Sequence, residues 1–246
     1  MVVLKKNVIK TSKVVKEPAY FKEFYEKIYK NDRLCRFFDD ERIASLMTFG
    51  CQNKMIEDVL EYVGTNSSVL QVGCTFGRQM DATAEKIGRY GKYVVADVSK
   101  EQIERCRQRS IYQNIEFQLH DGRKPFSQKY DTVICYMLLN QLPNASKQKV
   151  INNVLDAVRD GGRAVFVDYH KPSALNLFRF VMQPFNRLFF PFVENMWKVN
   201  IDSFAEKKRH FSWYKKTYAG KLYQRVVAVR IVSDERKPET KESFYA

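Results

Sequence analysis

Residues 69–77 (VLQVGCTFG) constrain the fold most, because they join a strand to a helix through two glycines. The apolar run 68–72 predicts a strand, and a helical pattern begins near Gln79. Gly73 and Gly77 allow the backbone to approach a ligand more closely than any residue with a Cβ atom could. This stretch therefore predicts a strand–turn–helix unit with a ligand at its turn.

Candidate strands alternate with candidate helices over residues 68–169. This alternation predicts βαβ units and a parallel sheet. A polar helix and two further strands, turning at Ala219-Gly220, predict a closing hairpin. The predicted strands cover 68–72, 92–96, 115–119, 130–136, 163–169, 211–218 and 221–232, and the predicted helices among the first five cover 79–87, 100–109 and 146–159.

One domain is predicted over residues 18–233, between a basic flexible tail (1–17) and a charged tail (234–246). Residues 18–63 predict a helical cap, because their apolar side chains recur at helical spacing. Residues 173–205 predict an aromatic-rich insertion after the fifth strand. A chain of 246 residues is long enough for such a domain to bury a substantial core.

The cysteines and the hydropathy predict a cytoplasmic protein. The 5 cysteines are odd in number and form no C-x-x-C pair, which favours reduced thiols over disulfides or a zinc site. No apolar run reaches the length of about 18 residues that a membrane span needs. No apolar segment with a cleavage site follows the N-terminal lysines, so a signal peptide is not expected.

Asp97 lies at the end of the second predicted strand. It follows Gly77 by about 20 residues, the spacing at which an acidic residue meets ribose hydroxyls in dinucleotide-binding folds. The alternative is that Asp97 caps the next helix. Asp97 and Ser99 could also divide these two roles.

Residues 69–77 resemble motif I of class I S-adenosylmethionine (SAM) methyltransferases, which reads V-L-D-x-G-C-G-T-G. In this chain Gln71 replaces the acidic residue, Thr75 the middle glycine and Phe76 the threonine. Later blocks of that family have counterparts in QLHDG, YDTVICYMLLNQLP and VLDAVRDGGR. The resemblance implies a Rossmann-like fold with a mostly parallel seven-stranded sheet and SAM as cofactor.

The same resemblance assigns residues to the SAM site. Asp121 would accept a hydrogen bond from the adenine amino group, although a plain turn residue is the alternative. His120 is interpreted as a neighbour of the site. Three aromatic cap residues, Tyr20, Phe21 and Phe24, would close over SAM. The implied cofactor-binding residues are Gln71, Gly73, Cys74, Gly77, Asp97, Val98, Asp121 and Gly122.

A narrower resemblance rests on Gln71 and on VDYHKP at residues 167–172, followed by aromatic residues up to Trp197. These features are similar to those of the rhodoquinone biosynthesis proteins. That resemblance implies conversion of ubiquinone to rhodoquinone, in which an amino group from SAM replaces a ring methoxy group, with Mn(II) assisting. A neutral Gln71 would lower the pKa of the SAM amine and make it nucleophilic, unless it is merely a benign substitute.

The predicted catalytic residues Asp168, Tyr169 and His170 stand at the end of the fifth strand. His170 could transfer a proton, and Asp168 with His170 could bind a divalent metal that polarises the quinone carbonyl. A hydrogen-bonded turn is the alternative for this pair. The predicted substrate-binding residues are Tyr136, Asn140, Phe178 and Met182.

The net charge of +14 has three interpretations: a solvated surface, a nucleic-acid partner or an anionic membrane. In residues 173–198 aromatic rings lie beside cations, which favours the inner membrane surface and a polyprenyl quinone substrate. A lid packed on the sheet is the alternative for this segment. An ordinary SAM methyltransferase acting on a quinone, lipid or other small substrate is the alternative function. A non-catalytic RNA-binding domain is less favoured, and the oligomeric state stays open.

Overall fold

The central sheet runs through the whole domain. The computed structural model describes residues 10–11, 17–173, 175–176 and 191–232. Within them the strands follow the order β1-β4-β3-β2-β5-β6-β8-β7. All neighbours are parallel except the pairs that β8 forms with β6 and β7. The strands are β1 (Lys10–Thr11), β2 (Ser68–Val72), β3 (Lys92–Asp97), β4 (Ile115–Leu119), β5 (Tyr130–Tyr136), β6 (Val158–Tyr169), β7 (Phe211–Tyr218) and β8 (Tyr223–Arg230).

The predicted seven-stranded sheet with its C-terminal hairpin is confirmed by strands β2 to β8. The central strands are buried on both faces, as parallel strands covered by helices must be. Strand β1 was not predicted; it lies in the basic tail and pairs Lys10 with Gln118 and Thr11 with Leu119. Two residues of that tail thus extend the sheet beyond β4.

Strand β6 begins at Val158, five residues before its predicted start. Gly161 and Gly162 therefore lie inside the strand. The register with β5 shifts between Tyr130 and Thr132. Gly161 has a φ of +70°, and a Cβ atom on Gly162 would lie 2.8 Å from the Asp131 carbonyl oxygen. The two glycines therefore form an irregularity within the strand, where the sequence analysis expected a turn before it.

Helices cover the sheet and cap its functional edge. Most predicted helices are present, but the polar helix expected before β7 is replaced by two short 3-10 turns. In that stretch only Ile201 is buried, so no apolar face supports a longer helix. The helices are α1 (Glu26–Tyr29), α2 (Asp32–Asp39), α3 (Glu41–Met47), α4 (Gln52–Leu60), α5 (Gln79–Ile87), α6 (Lys100–Arg109), α7 (Asn144–Asp156) and α8 (Val193–Met196), with a π-helical turn at Phe21–Tyr25 and 3-10 turns at Leu139–Gln141, Ile201–Phe204 and Lys208–His210.

A buried carboxylate joins the cap to the hairpin. Asp58 of α4 is fully buried and accepts hydrogen bonds from Lys216 Nζ and Tyr218 Oη of β7, each at 2.6 Å. Lys54 Nζ lies 2.9 Å from its other oxygen. Burial alone would raise the pKa of Asp58, but these donors lower it to about 2. The charged form of Asp58 therefore fixes α4 against the antiparallel edge of the sheet.

Within the described ranges, every helix is too short or too polar to cross a bilayer.

Candidate functional site

Two cavities adjoin at the carboxyl ends of the parallel strands, where ligands bind in open α/β sheets. The acidic cavity has about 660 Å³ of empty space, including its mouth, and contains Asp97 and Asp121. The tyrosine cavity has about 920 Å³ by the same measure. Five residues line both cavities: Tyr25, Tyr29, Cys74, Met137 and Gln141.

The loop after β2 forms the floor between the cavities. Gly73 has a φ of +94° and Gly77 a φ of +70°, a region that glycine occupies without strain. A Cβ atom on Gly77 would lie 2.7 Å from the side-chain amide nitrogen of Gln52. Glycine at 77 is therefore required by the backbone conformation, whereas the close contact is only with the end of a flexible side chain.

Asp97 faces the acidic cavity while its carboxylate fixes the loop. Its Oδ2 accepts from the Cys74 backbone N–H at 2.7 Å, and its Oδ1 accepts from the Ser99 N–H at 2.8 Å. Ser99 Oγ accepts from the Gln102 N–H and caps α6. Ser99 therefore caps the helix, and the Asp97 side chain is not needed for that role. Burial raises the pKa of Asp97, which lies at the wall of the cavity.

Asp121 lies at the far end of the acidic cavity, after β4. Both of its oxygens accept from the Arg123 guanidinium, at 2.7 to 3.1 Å. Despite burial, which opposes the charged form, Arg123 lowers the pKa of Asp121. Tyr20 and Phe21 line the same cavity, as the cap prediction requires, whereas the side chain of Phe24 is outside the described part of the structure.

Gln71 lies beneath the site. It is fully buried, its Oε1 accepts from the Tyr93 hydroxyl, and its Nε2 donates to the Gly73 carbonyl oxygen at 3.2 Å. Gln71 and Gly77 line neither cavity. The other predicted cofactor-binding residues line the acidic cavity: Gly73, Cys74, Asp97, Val98, Asp121 and Gly122.

A latch of three charged residues holds the loop against the cap. Asp39 of α2 accepts from the Gly77 N–H at 3.2 Å and forms ion pairs with Arg105 and Arg109 of α6. Arg109 also donates to the Gly77 carbonyl oxygen at 2.7 Å.

Phe76 extends this contact. Its ring lies 4.4 Å from the Arg105 guanidinium and packs near Tyr29 and Phe38, with ring centroids 6.0 and 5.5 Å away. The departure from motif I at Phe76 thus gives the loop an aromatic contact with the cap.

The wall of the tyrosine cavity is mainly apolar and aromatic. Burial raises the pKa of Tyr136 and Tyr169, so both hydroxyls stay protonated and can donate hydrogen bonds. Its described lining includes no acidic residue and no histidine. The lining residues are Tyr25, Ile28, Tyr29, Phe38, Ala44, Met47, Thr48, Gln52, Cys74, Thr75, Phe76, Tyr136, Met137, Asn140, Gln141, Tyr169 and Tyr223.

The predicted catalytic residues are dispersed. Tyr169 lines the tyrosine cavity, whereas Asp168 and His170 line neither of these two cavities. Asp168 is fully buried and accepts from the Tyr169 N–H at 2.7 Å and the Asn140 N–H at 3.2 Å, and burial raises its pKa to about 6. Nδ1 of His170 lies 2.9 Å from the Lys171 carbonyl oxygen and 3.0 Å from that of Lys221. Burial and the nearby Lys215 lower the pKa of His170.

The predicted metal ligands do not fit a metal site. Asp168 is fully buried and lines neither cavity, and His170 holds its Nδ1 against two backbone carbonyl oxygens. In the part of the chain that the structure describes, no three His, Cys, Asp or Glu side chains are grouped as metal ligands. The structure does not support Mn(II) at this pair.

The predicted substrate-binding residues fall into two groups. Tyr136 and Asn140 line the tyrosine cavity, as expected for a position after β5. Phe178 and Met182 lie outside the described residues. Sequence reasoning missed Gln52, Phe38 and Tyr25. The aromatic spacing in residues 18–63 indicated a cap, but it carried no information on which side chains face the ligand.

Comparison with known proteins supports the same fold. Residues 69–162 match the family model described as a methyltransferase domain. No curated protein matches the chain.

Several solved structures that are similar to this chain are methyltransferases. The N-methyltransferase NodS from Bradyrhizobium japonicum WM9, in complex with S-adenosyl-L-homocysteine (SAH), is 14% identical, with a TM-score of 0.55 over 87% of this chain and 99% of that one. A SAM-dependent methyltransferase from Aquifex aeolicus is 14% identical, with a TM-score of 0.58 over 82% and 99%. Human N-acetylserotonin methyltransferase in complex with SAM is 14% identical, with a TM-score of 0.56 over 86% and 60%. The chain has the class I SAM methyltransferase fold.

Proposed function

We propose that this protein is a SAM-dependent transferase that moves a methyl group to a small, largely apolar acceptor. The observation that carries the proposal is the junction of the two cavities. One cavity has the acidic residues that suit a nucleoside, and the other has the apolar walls typical of a small-molecule site. Cys74 and Met137 lie where the two meet, so a group on one ligand can reach the other.

Several residues of the acidic cavity suit SAM. Asp97 keeps lone pairs for the ribose hydroxyls beside its two backbone bonds, since a carboxylate has about four acceptor sites. Asp121 lies one strand further and can accept from the adenine amino group while Arg123 holds it charged. Tyr20 and Phe21 cover the nucleoside from the cap.

When bound, SAM supplies an electrophilic methyl group: the acceptor's lone pair forms the new bond to carbon, and the sulfur keeps the electron pair and leaves as SAH. Tyr25 and Tyr29 at the junction would exclude water, together with Phe76 in the adjoining wall of the tyrosine cavity. Because the described lining of the tyrosine cavity lacks a general base, the acceptor atom must release its proton to solvent or arrive without one. Hydroxyl donors such as Tyr136 favour an acceptor that carries oxygen atoms.

A second candidate is amino transfer to a ubiquinone-like quinone, as the narrower resemblance implies. The observation in its favour is that the SAM amine would have no carboxylate partner in the tyrosine cavity, because Gln71 is buried and bonded elsewhere. Without that partner a larger share of the amine is neutral and nucleophilic. The amine would bond to the ring carbon, the methoxy group would leave as methanol, and oxidation of the SAM carbon by the quinone followed by hydrolysis would leave nitrogen on the ring.

One labelling experiment separates the two reactions. SAM with a deuterated methyl group and a ¹⁵N amine is incubated with the protein and membranes that contain ubiquinone, and the extracted small molecules are analysed by mass spectrometry. Deuterium in a product supports methyl transfer, and ¹⁵N in a quinone supports amino transfer. The Asp97→Ala variant is the control and should transfer neither label. Failure of the wild-type protein to bind SAH would contradict both candidates.

We also propose that the protein works at the cytoplasmic face of an anionic membrane. The net charge of +14 supports this, as does Leu175, which is 92% exposed four residues after the exposed Lys171. Sedimentation with phosphatidylglycerol vesicles, but not with neutral phosphatidylcholine vesicles, is the expected result. No sedimentation with either kind of vesicle would contradict the membrane proposal.

A further inference from the structure

Gln52 is a polar residue in the wall of the tyrosine cavity. It is the first residue of α4, and only 7% of it is exposed. Its amide nitrogen lies so close to Gly77 that a Cβ atom there would approach it to 2.7 Å. The Gln52 amide therefore lies where the cap meets the glycine loop, on the loop side of the cavity.

The side chain of Gln52 has no hydrogen-bond partner among the described residues. Other buried glutamines have at least one partner: Gln71 bonds to Tyr93 and Gly73, and Gln224 donates to the Tyr169 carbonyl oxygen at 2.8 Å, although its own amide oxygen has none. Buried amides are rarely left unpaired, so the partner of this one must come from the cavity, as a ligand or as water that a ligand can displace.

Two other polar side chains of the tyrosine cavity already have hydrogen-bond partners. The Thr48 hydroxyl donates to the Ala44 carbonyl oxygen at 2.8 Å, and Gln141 accepts from the Tyr29 hydroxyl at 2.6 Å. The Tyr136 hydroxyl also has no partner among the described residues, but it is a single group at the end of β5, whereas Gln52 lies on the cap and carries a separate donor and acceptor.

The position of SAM follows from the proposed function, on which this inference rests. With adenine near Asp121 and ribose at Asp97, the sulfur of this linear ligand lies at the Cys74 junction. Its remaining end, the amino acid part with a carboxylate and an amino group, then extends past Thr75 and Phe76 into the loop side of the tyrosine cavity.

We infer that Gln52 binds the amino acid end of SAM and takes over the contact that a motif I carboxylate would make. The amide N–H₂ donates to the ligand carboxylate, and the amide oxygen accepts from its amino group. Two features of α4 favour the carboxylate: its first turn contains no acidic residue, and no described side chain caps its N-terminus. The amino acid end is thus held by a neutral group of the cap, while Gln71 stays in the core.

The test compares two ligands that differ only in this end. SAH carries the amino acid group, and 5′-methylthioadenosine replaces it with a methyl group. Calorimetry is carried out with the wild-type chain, with Gln52→Met, which keeps the shape but removes both hydrogen-bonding groups, and with Gln52→Ala. We expect Gln52→Met to weaken SAH binding by about 10- to 100-fold, the loss typical of hydrogen bonds to a charged group. Methylthioadenosine binding should change by less than about twofold.

Asp97→Asn is the matched control, because it acts on the ribose that both ligands share and should weaken both alike. Equal losses for both ligands with Gln52→Met, or no loss for either, would overturn the inference. A wild-type chain that binds neither ligand would instead overturn the proposed function. If Gln52→Met fails to fold, as judged by its melting curve without ligand, Gln52→Ala gives the same comparison. A further check on the wild-type chain is decarboxylated SAM, which should bind more weakly than SAM.

Discussion

The acidic cavity and the tyrosine cavity differ in how their residues are arranged along the chain. Most described residues of the acidic cavity lie at or after strand ends, at spacings that the βαβ repeat dictates. The tyrosine cavity takes residues from α1, α3, α4 and the ends of β5, β6 and β8, at unrelated positions in the sequence. Local motifs therefore report on most of the first cavity, but on only the loop and strand-end residues of the second.

The largest effect should come from the contact that holds the cap in place. Asp58→Asn leaves Lys216 and Arg225 without their buried carboxylate, and we expect the free energy of unfolding to fall by about 3 kcal/mol. Urea denaturation measures it. If the tyrosine cavity depends on α4, ligand binding should also weaken, while an unchanged stability would contradict the role of Asp58.

The same residue predicts a pH dependence. Because the folded pKa of Asp58 lies at about 2, below the unfolded value of about 3.9, its contribution is present above pH 4 and is lost as the pH falls towards 2. Acid unfolding of Asp58→Asn should therefore show a shallower decline in this window than the wild type. Parallel curves would contradict the prediction.

Asp97→Ala tests the acidic cavity alone. It removes the acceptor for the Cys74 and Ser99 N–H groups as well as the predicted ribose contact. We expect the affinity for SAH and for methylthioadenosine to fall by about 100-fold each, measured by calorimetry. A loss confined to SAH would place Asp97 at the amino acid end of the ligand and invert the assignment of the two cavities.

Asp39→Asn tests the latch that lies between the cavities. The variant keeps the shape of the side chain but loses the charge that pairs with Arg105 and Arg109. We expect about a tenfold weaker affinity for SAH. The effect should be smaller at high salt, because salt weakens these ion pairs, although it does not abolish them when they are partly buried. Unaltered affinity at low salt would show that the loop holds its conformation without the cap.

Tyr136→Phe should have the smallest effect and act on the tyrosine cavity only. The hydroxyl has no partner among the described residues, so its loss leaves the fold intact. Once an acceptor is known from the labelling experiment, kcat/KM for it should fall about 3- to 10-fold, the net value of one hydrogen bond. SAH affinity should stay within about twofold, and a larger change would mean that Tyr136 contacts the amino acid end of SAH.

Much of the fold could be predicted, since strands and helices of a βαβ sheet have distinct periods. The predicted bounds of β2, β4 and β5 are those of the structure. The start of β6 was missed because Gly161-Gly162 suggests a turn, and no local pattern shows that β5 pairs across it.

The site was predicted unevenly for the same reason. Asp97 and Asp121 have a fixed distance in sequence from the glycine loop, and both line the acidic cavity. Gln71 occupies a motif position, but the direction of its side chain depends on Tyr93 of the neighbouring strand. Gln52 belongs to no sequence motif. Its position at the site depends on how α4 packs on the loop, which the local sequence does not indicate.

The shared wall of the two cavities limits how this protein could acquire a new acceptor. Substitutions at Tyr25 or Tyr29 change both cavities at once, so each gain for an acceptor risks a loss for the cofactor. Tyr136, Tyr169 and Tyr223 line the tyrosine cavity alone and project from the sheet. Engineering or natural divergence towards other acceptors should therefore be concentrated on these three strand positions, while the helical tyrosines stay as they are.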